Sequence, residues 1–446
     1  MRKALTVPLL AAAAVFLAPA EAFCQTSSPP VNTGDVAWML TATGLVLLMT
    51  PGLAFFYGGM VQRKNVISTM LQSFMAMGVI TLLWIVVGFS LAFGDSLGGI
   101  IGNPFTFPLF RGVGLEPHAA LSPTVPLLLF ALFQMKFAII TPALITGSFA
   151  ERVRFSGYIL FICLFSVLVY APLAHWTWHP DGFLRAWGVL DFAGGTVVHM
   201  SAGLAALAGA IFLGARGDRV PGASHEPANI PFVLLGTGML WFGWFGFNAG
   251  SALSASGTAV LAFATTNTAS AAALLTWMLA DAARGRKPSA LGACIGAVVG
   301  LVAVTPAAGY ISVGSSIIVG AVSSVISNAA VNWRMRTELD DTLDVFPCHG
   351  LGGMAGMIMT AVFATDGGLV NGSWTLLVRH AGALVVVTAY SFGMAMLLYR
   401  LTDAIIPLRV SAEQEAMGLD LSQHGERLAA APLDGLWPEA AGEGAA

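Results

Sequence analysis

Long apolar stretches, separated by shorter polar connections, repeat along the chain from residue 36 onward. Each stretch is near or above the ~20 residues that a helix needs to cross the hydrocarbon core of a bilayer. We predict eleven spans: Val36–Val61, Val66–Phe93, Val125–Phe149, Gly157–Trp178, Phe192–Leu213, Ile230–Ala249, Gly257–Ala280, Ala290–Ala308, Val313–Val331, Val345–Phe363 and Leu376–Leu401.

The basic residues of the connections predict how these spans are oriented. The even-numbered connections carry only Arg111 and Arg185. The odd-numbered connections carry most of the remainder: Arg63, Lys64, Arg152, Arg154, Arg216, Arg219, Arg284, Arg286, Lys287, Arg334 and Arg336. Because basic connections stay in the cytoplasm, the N-terminus is expected outside and the tail inside.

Eleven spans divide into two halves of five and a final helix, and an odd number per half inverts the second half. The sequence therefore predicts an all-α polytopic membrane protein with eleven transmembrane helices: two inverted five-helix halves plus a final helix. Inverted repeats place a substrate site near the membrane midplane, between the halves. A short echo supports this division, since Asp191 and His199 begin the fifth span while Asp344 and His349 begin the tenth.

Composition agrees with lipid as the main solvent. Of the 446 residues, 57% are hydrophobic and only 10% are charged, whereas a soluble domain carries ~25% charge. The net charge of -3 argues against a nucleic-acid partner. The four cysteines are scattered, which argues against a disulfide framework or a thiolate metal site.

The N-terminus has the pattern of a signal peptide. Arg2 and Lys3 precede a short apolar run, and Ala20-Glu21-Ala22 fits the small-x-small cleavage rule. We predict a signal peptide over residues 1–22, and a cleaved signal also places the mature N-terminus outside. Cys24 leaves a lipoprotein as the alternative, although Phe23 is a poor residue before a lipidated cysteine.

Polar side chains inside a membrane are costly and are therefore functional candidates. Of the eight histidines, His199 and His349 lie within apolar spans, at related places in the two halves. A structural reading of each is a packed imidazole bonded to a backbone carbonyl. As a pair they could hydrogen-bond to each other and exchange a proton with a small polar guest. A metal or haem site would need further ligands at this depth, so no metal or cofactor is expected.

Aromatic side chains near the outer span ends suit a small cation. Phe133 and Phe137 are four residues apart and share one helix face. Trp178 closes the fourth span, and Ser251 follows the sixth. Aromatic faces and a hydroxyl could bind a cation through cation–π attraction and one hydrogen bond, whereas the ordinary reading is an interfacial aromatic belt. Lys136, between these aromatics, has no evident role.

Several long motifs resemble the ammonium transporter (Amt/MEP/Rh) family, over about residues 35–427. The similar segments are Pro51–Gly59, Gly147–Arg152, Asp191–His199, Gly243–Ser251, Leu291–Cys294, Thr305–Ala307 and Asp344–Gly350.

The resemblance implies a homotrimer with one pore per subunit. It implies that Trp178 and Ser251, with Phe137 alongside, bind ammonium on the outer side, near a buried Asp191. It further implies that Phe137 and Phe247 form a stacked gate, and that His199, His349 and Trp244 line the pore.

The same resemblance implies a transport mechanism. A dry pore with two imidazoles would pass neutral ammonia and refuse potassium, which cannot shed its charge. Our hypothesis is that ammonium is deprotonated near the gate, ammonia crosses, and the proton follows through His199 and His349. The chain is therefore expected to be a nitrogen-uptake protein of the bacterial inner membrane and not an enzyme.

The resemblance also divides the chain. Residues 23–410 form the predicted ammonium transporter domain, and residues 411–446 form a cytoplasmic regulatory tail. Many family members are blocked at this face by a PII signalling protein. Here Leu428-Ala429-Ala430 replaces the aromatic ending common in relatives, which puts PII binding in doubt.

Three other functions stay open. A sensor of the same fold would be favoured by an appended signalling domain, but only about 36 residues follow Val410. A gas channel would pass neutral molecules without current, whereas Trp178 and Ser251 favour recruitment of a cation. A membrane enzyme would use the two histidines as ligands.

Overall fold

The computed structural model describes residues 31–222 and 226–428. The predicted signal peptide, Cys24 and the tail beyond residue 428 lie outside these residues. Within them the chain is almost entirely helical.

Ten helices of the described part are long and apolar enough to cross a membrane. An eleventh, Ala290–Val304, is apolar but has only 15 residues. We number the eleven in chain order: α1 Thr33–Met60, α2 Arg63–Phe93, α3 Leu127–Phe149, α4 Phe155–Ala186, α5 Gly195–Leu213, α6 Ile230–Gly250, α7 Gly257–Ala283, α8 Ala290–Val304, α9 Val313–Met335, α10 Phe346–Phe363 and α11 Thr375–Ile405. Each coincides with a predicted span, so the helical membrane fold is confirmed. The short α8 leaves the count at ten or eleven.

Polar caps explain where several helices begin. The Asn32 side chain accepts hydrogen bonds from the amides of Gly34 and Asp35 at the start of α1. Asn229, Ser289 and Ser312 cap α6, α8 and α9 in the same way. A cap satisfies backbone donors that the first helical turn leaves unpaired. The sequence therefore marks these helix starts with local chemistry as well as with hydrophobicity.

Two short antiparallel ladders lie in the connection between α2 and α3. Strand β1, Ser96–Leu97, pairs with β2, Ile101–Gly102, and β3, Pro117–His118, pairs with β4, Ser122–Pro126. The hydrophobic pattern of the sequence predicts no strands here. Such short strands have no alternating apolar pattern from which they could be recognised.

Glycines allow the two halves to meet at backbone distance. In α1 and α6, a Cβ atom at Gly236 would overlap the backbone of Phe56, and one at Gly246 would lie 2.7 Å from the carbonyl of Ala42. In α5 and α10, a Cβ atom at Gly203 would overlap the backbone of Gly350. Small residues permit this approach of membrane helices. The contact of Gly203 with Gly350 lies beside His349, so it sets the distance between the candidate histidines.

Buried ion pairs connect the polar ends of several helices on the side where α3 and α5 end. Arg216 pairs with Glu151 at 2.5 Å and with Asp340 at 2.9 Å, and Arg152 and Arg219 lie within 4.0 Å of Asp340. Burial alone would raise the pKa of Asp340, but hydrogen bonds from Arg216 and the nearby arginine charges lower it to about 2. Asp340 is therefore ionised at neutral pH.

The tail packs against the same side through two short helices, α12 Ala412–Met417 and α13 Leu419–His424. Asp420 accepts hydrogen bonds from the amides of Ile67 and Ser68, in the turn of α2 where its α-helical part begins at Val66. A carboxylate in this position satisfies unpaired donors and the positive helix end. The tail thus holds the connection between α1 and α2.

Candidate functional site

A wide vestibule opens on one side of the molecule, where α3 and α5 begin. Its volume is about 660 Å³, and its lining includes Phe137, Trp178, Asp191 and Ser251. We call it the aromatic vestibule. The rings of Phe137 and Trp178 are 5.7 Å apart and nearly perpendicular. The Ser251 hydroxyl donates to the carbonyl of Phe247 at 2.8 Å, so its lone pairs remain free to accept. The predicted recruitment residues therefore share one cavity.

Asp191 is buried and organises the backbone at the start of α5. Its Oδ1 accepts from the amides of Gly194 and Gly195, and its Oδ2 accepts from the amide and hydroxyl of Thr196. Gly194 has φ 119°, a conformation that other residues avoid. These bonds fix the first turn of α5 and hence the residues that follow it, including His199.

Two phenyl rings close the vestibule floor. The rings of Phe137 and Phe247 are 4.1 Å apart and inclined by 31°. Both side chains are at most 1% exposed. Phe133 packs on Phe137 from the side, with ring centres 5.0 Å apart. Passage between the vestibule and the interior requires these rings to move.

His199 and His349 lie below the rings and touch each other. Their Nδ1 atoms are 3.3 Å apart. Each histidine belongs to a π-helical turn, Gly195–Met200 in α5 and Phe346–Leu351 in α10. Such turns are rare and occur often at functional sites. Trp244 stacks on His199 with ring centres 5.5 Å apart.

Thr305 couples to the protonation of His199. Its hydroxyl lies within hydrogen-bond distance of the Leu301 carbonyl and of His199 Nε2, and its oxygen accepts from Trp244 Nε1. When the hydroxyl proton goes to Leu301, His199 Nε2 is the donor, and His349 Nδ1 donates between the two rings. When the hydroxyl proton goes to His199 Nε2, His199 Nδ1 donates to His349 Nδ1 and His349 Nε2 carries a proton.

Two small cavities continue the path on either side of His349. Each has a volume of about 10 Å³, which is room for about one water-sized molecule. The first is lined by Phe247, His199 and Trp244, and the second by Tyr57 and Cys348. Their linings are otherwise mostly apolar. A hydrated ion would not fit, but a small neutral molecule would.

A second vestibule, of about 370 Å³, opens beyond the small cavities. We call it the arginine vestibule, because Arg216, Arg219, Arg286 and Arg334 line it. The aromatic vestibule, the phenyl rings, the histidines and the arginine vestibule thus follow one another through the molecule.

Comparison with known proteins identifies the family of the chain. The model of the Ammonium Transporter Family matches residues 37–428. The chain belongs to the ammonium transporter family. A putative ammonium transporter of Methanothermobacter thermautotrophicus is 46% identical, with 89% of this chain and 98% of the relative covered. The crystal structure of Saccharomyces cerevisiae Mep2 is similar with a TM-score of 0.81 at 33% identity, covering 86% and 89% of the two chains. A structure entitled Sensor Amt Protein also has a TM-score of 0.81, at 32% identity, covering 88% and 98%.

In the predicted second half, the carboxylate placed like Asp191 is Asp341, and not Asp344 as the sequence echo suggests. Asp341 accepts from the amides of Val345 and Phe346 at the start of α10, and it precedes His349 by eight residues, as Asp191 precedes His199. Burial and the charge of Asp344 raise the pKa of Asp341 to about 6. Asp344 instead accepts from Arg334 at 2.8 Å. The equal spacing was present in the sequence and could have revealed this.

In the sequence Thr305 stands out only as part of a motif, and its contact with both Trp244 and His199 is visible only in the structure. No local signal marks it, because it lies just after α8. Lys136 is half-buried, and its Nζ lies 3.8 Å from Met135 Sδ. Over residues 31–222 and 226–428, Lys136 forms no ion pair. The structure gives it no role. Within the same residues, no group of three potential metal ligands comes together.

Proposed function

We propose that this chain recruits ammonium in the aromatic vestibule and conducts it, as ammonia and a proton, to the arginine vestibule. The observation that carries the proposal is the contact of the His199 and His349 rings inside an apolar path. Membership of a transporter family supports transport and not catalysis.

Selectivity for ammonium over potassium follows from the side chains that line the path. Trp178 and Phe137 present ring faces and edges, and Ser251 presents an acceptor, so a small cation can be held in the vestibule. Beyond Phe137 and Phe247 the cavities are apolar and have room for about one small molecule. A buried, unpaired charge is very costly there. Ammonium avoids that cost by leaving its proton behind, whereas potassium cannot.

The two imidazoles provide a route for the proton. When the Thr305 hydroxyl donates to His199, His199 Nε2 is an acceptor on the side of the phenyl rings and His349 Nε2 carries a proton on the side of the arginine vestibule. A proton that arrives at His199 Nε2 is then matched by one that leaves His349 Nε2, with the shared proton moving from His199 Nδ1 to His349 Nδ1. The expected transport is electrogenic.

The wider arrangement is part of the same proposal. The protein is a homotrimer in the bacterial inner membrane, with the N-terminus and the aromatic vestibule outside and the tail in the cytoplasm. Residues 1–22 are a signal peptide, residues 23–410 the transporter domain and residues 411–446 a regulatory tail. The contact of Asp420 with α2 supports regulation through the tail, and a PII protein is a candidate partner at that face.

A sensing function is the second candidate, because the structure entitled Sensor Amt Protein is similar over most of both chains. The path through the phenyl rings and histidines favours conduction. A neutral gas channel is the third candidate, and the acceptor and ring faces of the aromatic vestibule favour a cation instead.

The test is current across proteoliposomes that hold the purified protein, after a jump of ammonium and then of potassium. We expect current with ammonium only, and loss of this selective current in His199→Ala. Full ammonium current with full potassium exclusion in that variant would refute the histidine route. A pH shift without current would indicate neutral ammonia passage. The absence of both current and pH shift would favour a sensor.

A further inference from the structure

Gln134 lies at the aromatic vestibule and has an unused side-chain acceptor, Oε1, which a turn of the terminal amide brings to the vestibule surface. Its side chain lines the vestibule and is only 8% exposed. Within the described residues, its Oε1 atom is buried and has no hydrogen-bond partner. Buried polar atoms are nearly always paired in native proteins, so an unpaired one needs an explanation.

Two other polar groups of the vestibule are already committed. The Asp191 carboxylate accepts four hydrogen bonds from Gly194, Gly195 and Thr196. The indole nitrogen of Trp178 donates to the backbone carbonyl of Asp191. The Gln134 carbonyl, like the Ser251 hydroxyl oxygen, is left free to accept.

The position of Gln134 places this acceptor on the path. It lies on α3, three residues before Phe137, and side chains three apart lie on the same helix face. The offset along the helix is about 4.5 Å toward the vestibule end. The amide thus lies about one turn above the ring that Phe137 contributes to the closed floor.

We propose that the side-chain carbonyl of Gln134 accepts a hydrogen bond from ammonium at the vestibule floor, which makes Gln134 a specificity-determining residue. The ligand class is a small protonated amine with an N–H group free to donate. The inference rests on the proposed function, and it adds a directed acceptor to the ring faces of that site. A hydrogen bond to a charged donor is stronger than a neutral one, so its loss is expected to weaken ammonium binding by roughly tenfold.

The test compares three variants of the full-length protein in proteoliposomes. Gln134→Leu removes the acceptor at similar size, and Gln134→Met keeps the length without a carbonyl. Gln72→Leu is the matched control, because Gln72 Oε1 is also buried and unpartnered but Gln72 lies on α2 and does not line the vestibule. Ammonium current is measured against concentration.

Both Gln134 variants are expected to raise the half-saturating ammonium concentration about tenfold, with little change in maximal current. A raised half-saturating concentration with an unchanged maximal current indicates that binding of the ion is weakened and that its passage is not. The Gln72 variant is expected to match the unmodified protein. If either folded Gln134 variant keeps the original half-saturation, or loses only maximal current, the carbonyl does not hold the ion. Absence of current in the unmodified protein would overturn both this inference and the proposed function, whereas the variant results overturn this inference alone.

Discussion

Replacing Asp191 by asparagine tests how the structure holds His199 in place. Each carboxylate oxygen of Asp191 accepts two hydrogen bonds. An asparagine keeps one oxygen and presents NH₂ on the other side. With the NH₂ toward Thr196, whose hydroxyl can accept, it loses the bond from the Thr196 amide. Hydrogen bonds to a charged group contribute about 1.5–3 kcal/mol each and neutral ones about 0.5–1.5 kcal/mol, so the three remaining bonds also weaken by about 1 kcal/mol each. The expected loss is therefore about 4–6 kcal/mol, a large part of ordinary stability.

Asp341→Asn is the matched control, because Asp341 is the corresponding carboxylate of the second half. Each of its oxygens accepts one bond, so asparagine loses one, at about 1.5–3 kcal/mol. The raised pKa of about 6 reduces the cost further. A carboxyl whose pKa is raised by folding loses stability as the pH rises through that pKa, and a neutral amide does not.

The assay is thermal unfolding of the purified variants in detergent at pH 8, followed by ammonium current in proteoliposomes. Asp191→Asn should unfold at a clearly lower temperature than Asp341→Asn and should lose most of its current, because the turn that carries His199 loosens. Equal unfolding temperatures for the two variants would refute the hydrogen-bond argument. So would normal current in Asp191→Asn.

Two further substitutions test the pore. Thr305→Val removes the shared partner of Trp244 and His199, and each stranded group costs about 1–3 kcal/mol, so ammonium current should fall. Thr265→Val removes a buried hydroxyl that bonds the Ala308 carbonyl, and serves as the control in the same current assay. Gly203→Ala should push α5 from α10 and lower the current by up to about a hundredfold, since such shifts carry that cost. Gly393→Ala is the control, because a Cβ atom there has no neighbour within 4 Å, and its current should be unchanged. Equal currents in the Gly203→Ala and Gly393→Ala variants would show that the backbone contact between α5 and α10 is unimportant.

Helices were the part of the fold that hydrophobicity could predict. A span must be apolar over its whole length in lipid, so every predicted span has its helix. The eighth helix is shorter than its predicted span, because α8 ends at Val304, four residues before the predicted end. Thr305 and Pro306 leave the helix because they serve other elements. The Pro306 carbonyl accepts from the amide of Phe192, and the Thr305 hydroxyl contacts Trp244.

The site could be predicted in part. Histidines inside apolar spans stand out because polar groups at that depth are costly, and the two proposed from the sequence touch. The free carbonyl of Gln134 could not be predicted, because a missing partner is visible only once all neighbours are placed. The π-helical turns around His199 and His349 also leave no periodic trace in so few residues.

The glycine contacts between the halves bear on how fast such a protein can work. Carriers that alternate their access rock one half against the other around a fixed site. Here α5 meets α10 at Gly203 and Gly350, and α1 meets α6 at Phe56 and Gly236, at backbone atoms, and these contacts leave little room for a sliding motion. The halves are interlocked, and the local motion required is that of the Phe137 and Phe247 rings. Exposed side chains rotate within nanoseconds, and packed rings more slowly, whereas domain rocking takes microseconds to milliseconds. Under the proposed function, turnover is then limited by the ring motion and by passage of the guest, and not by a conformational cycle of the scaffold.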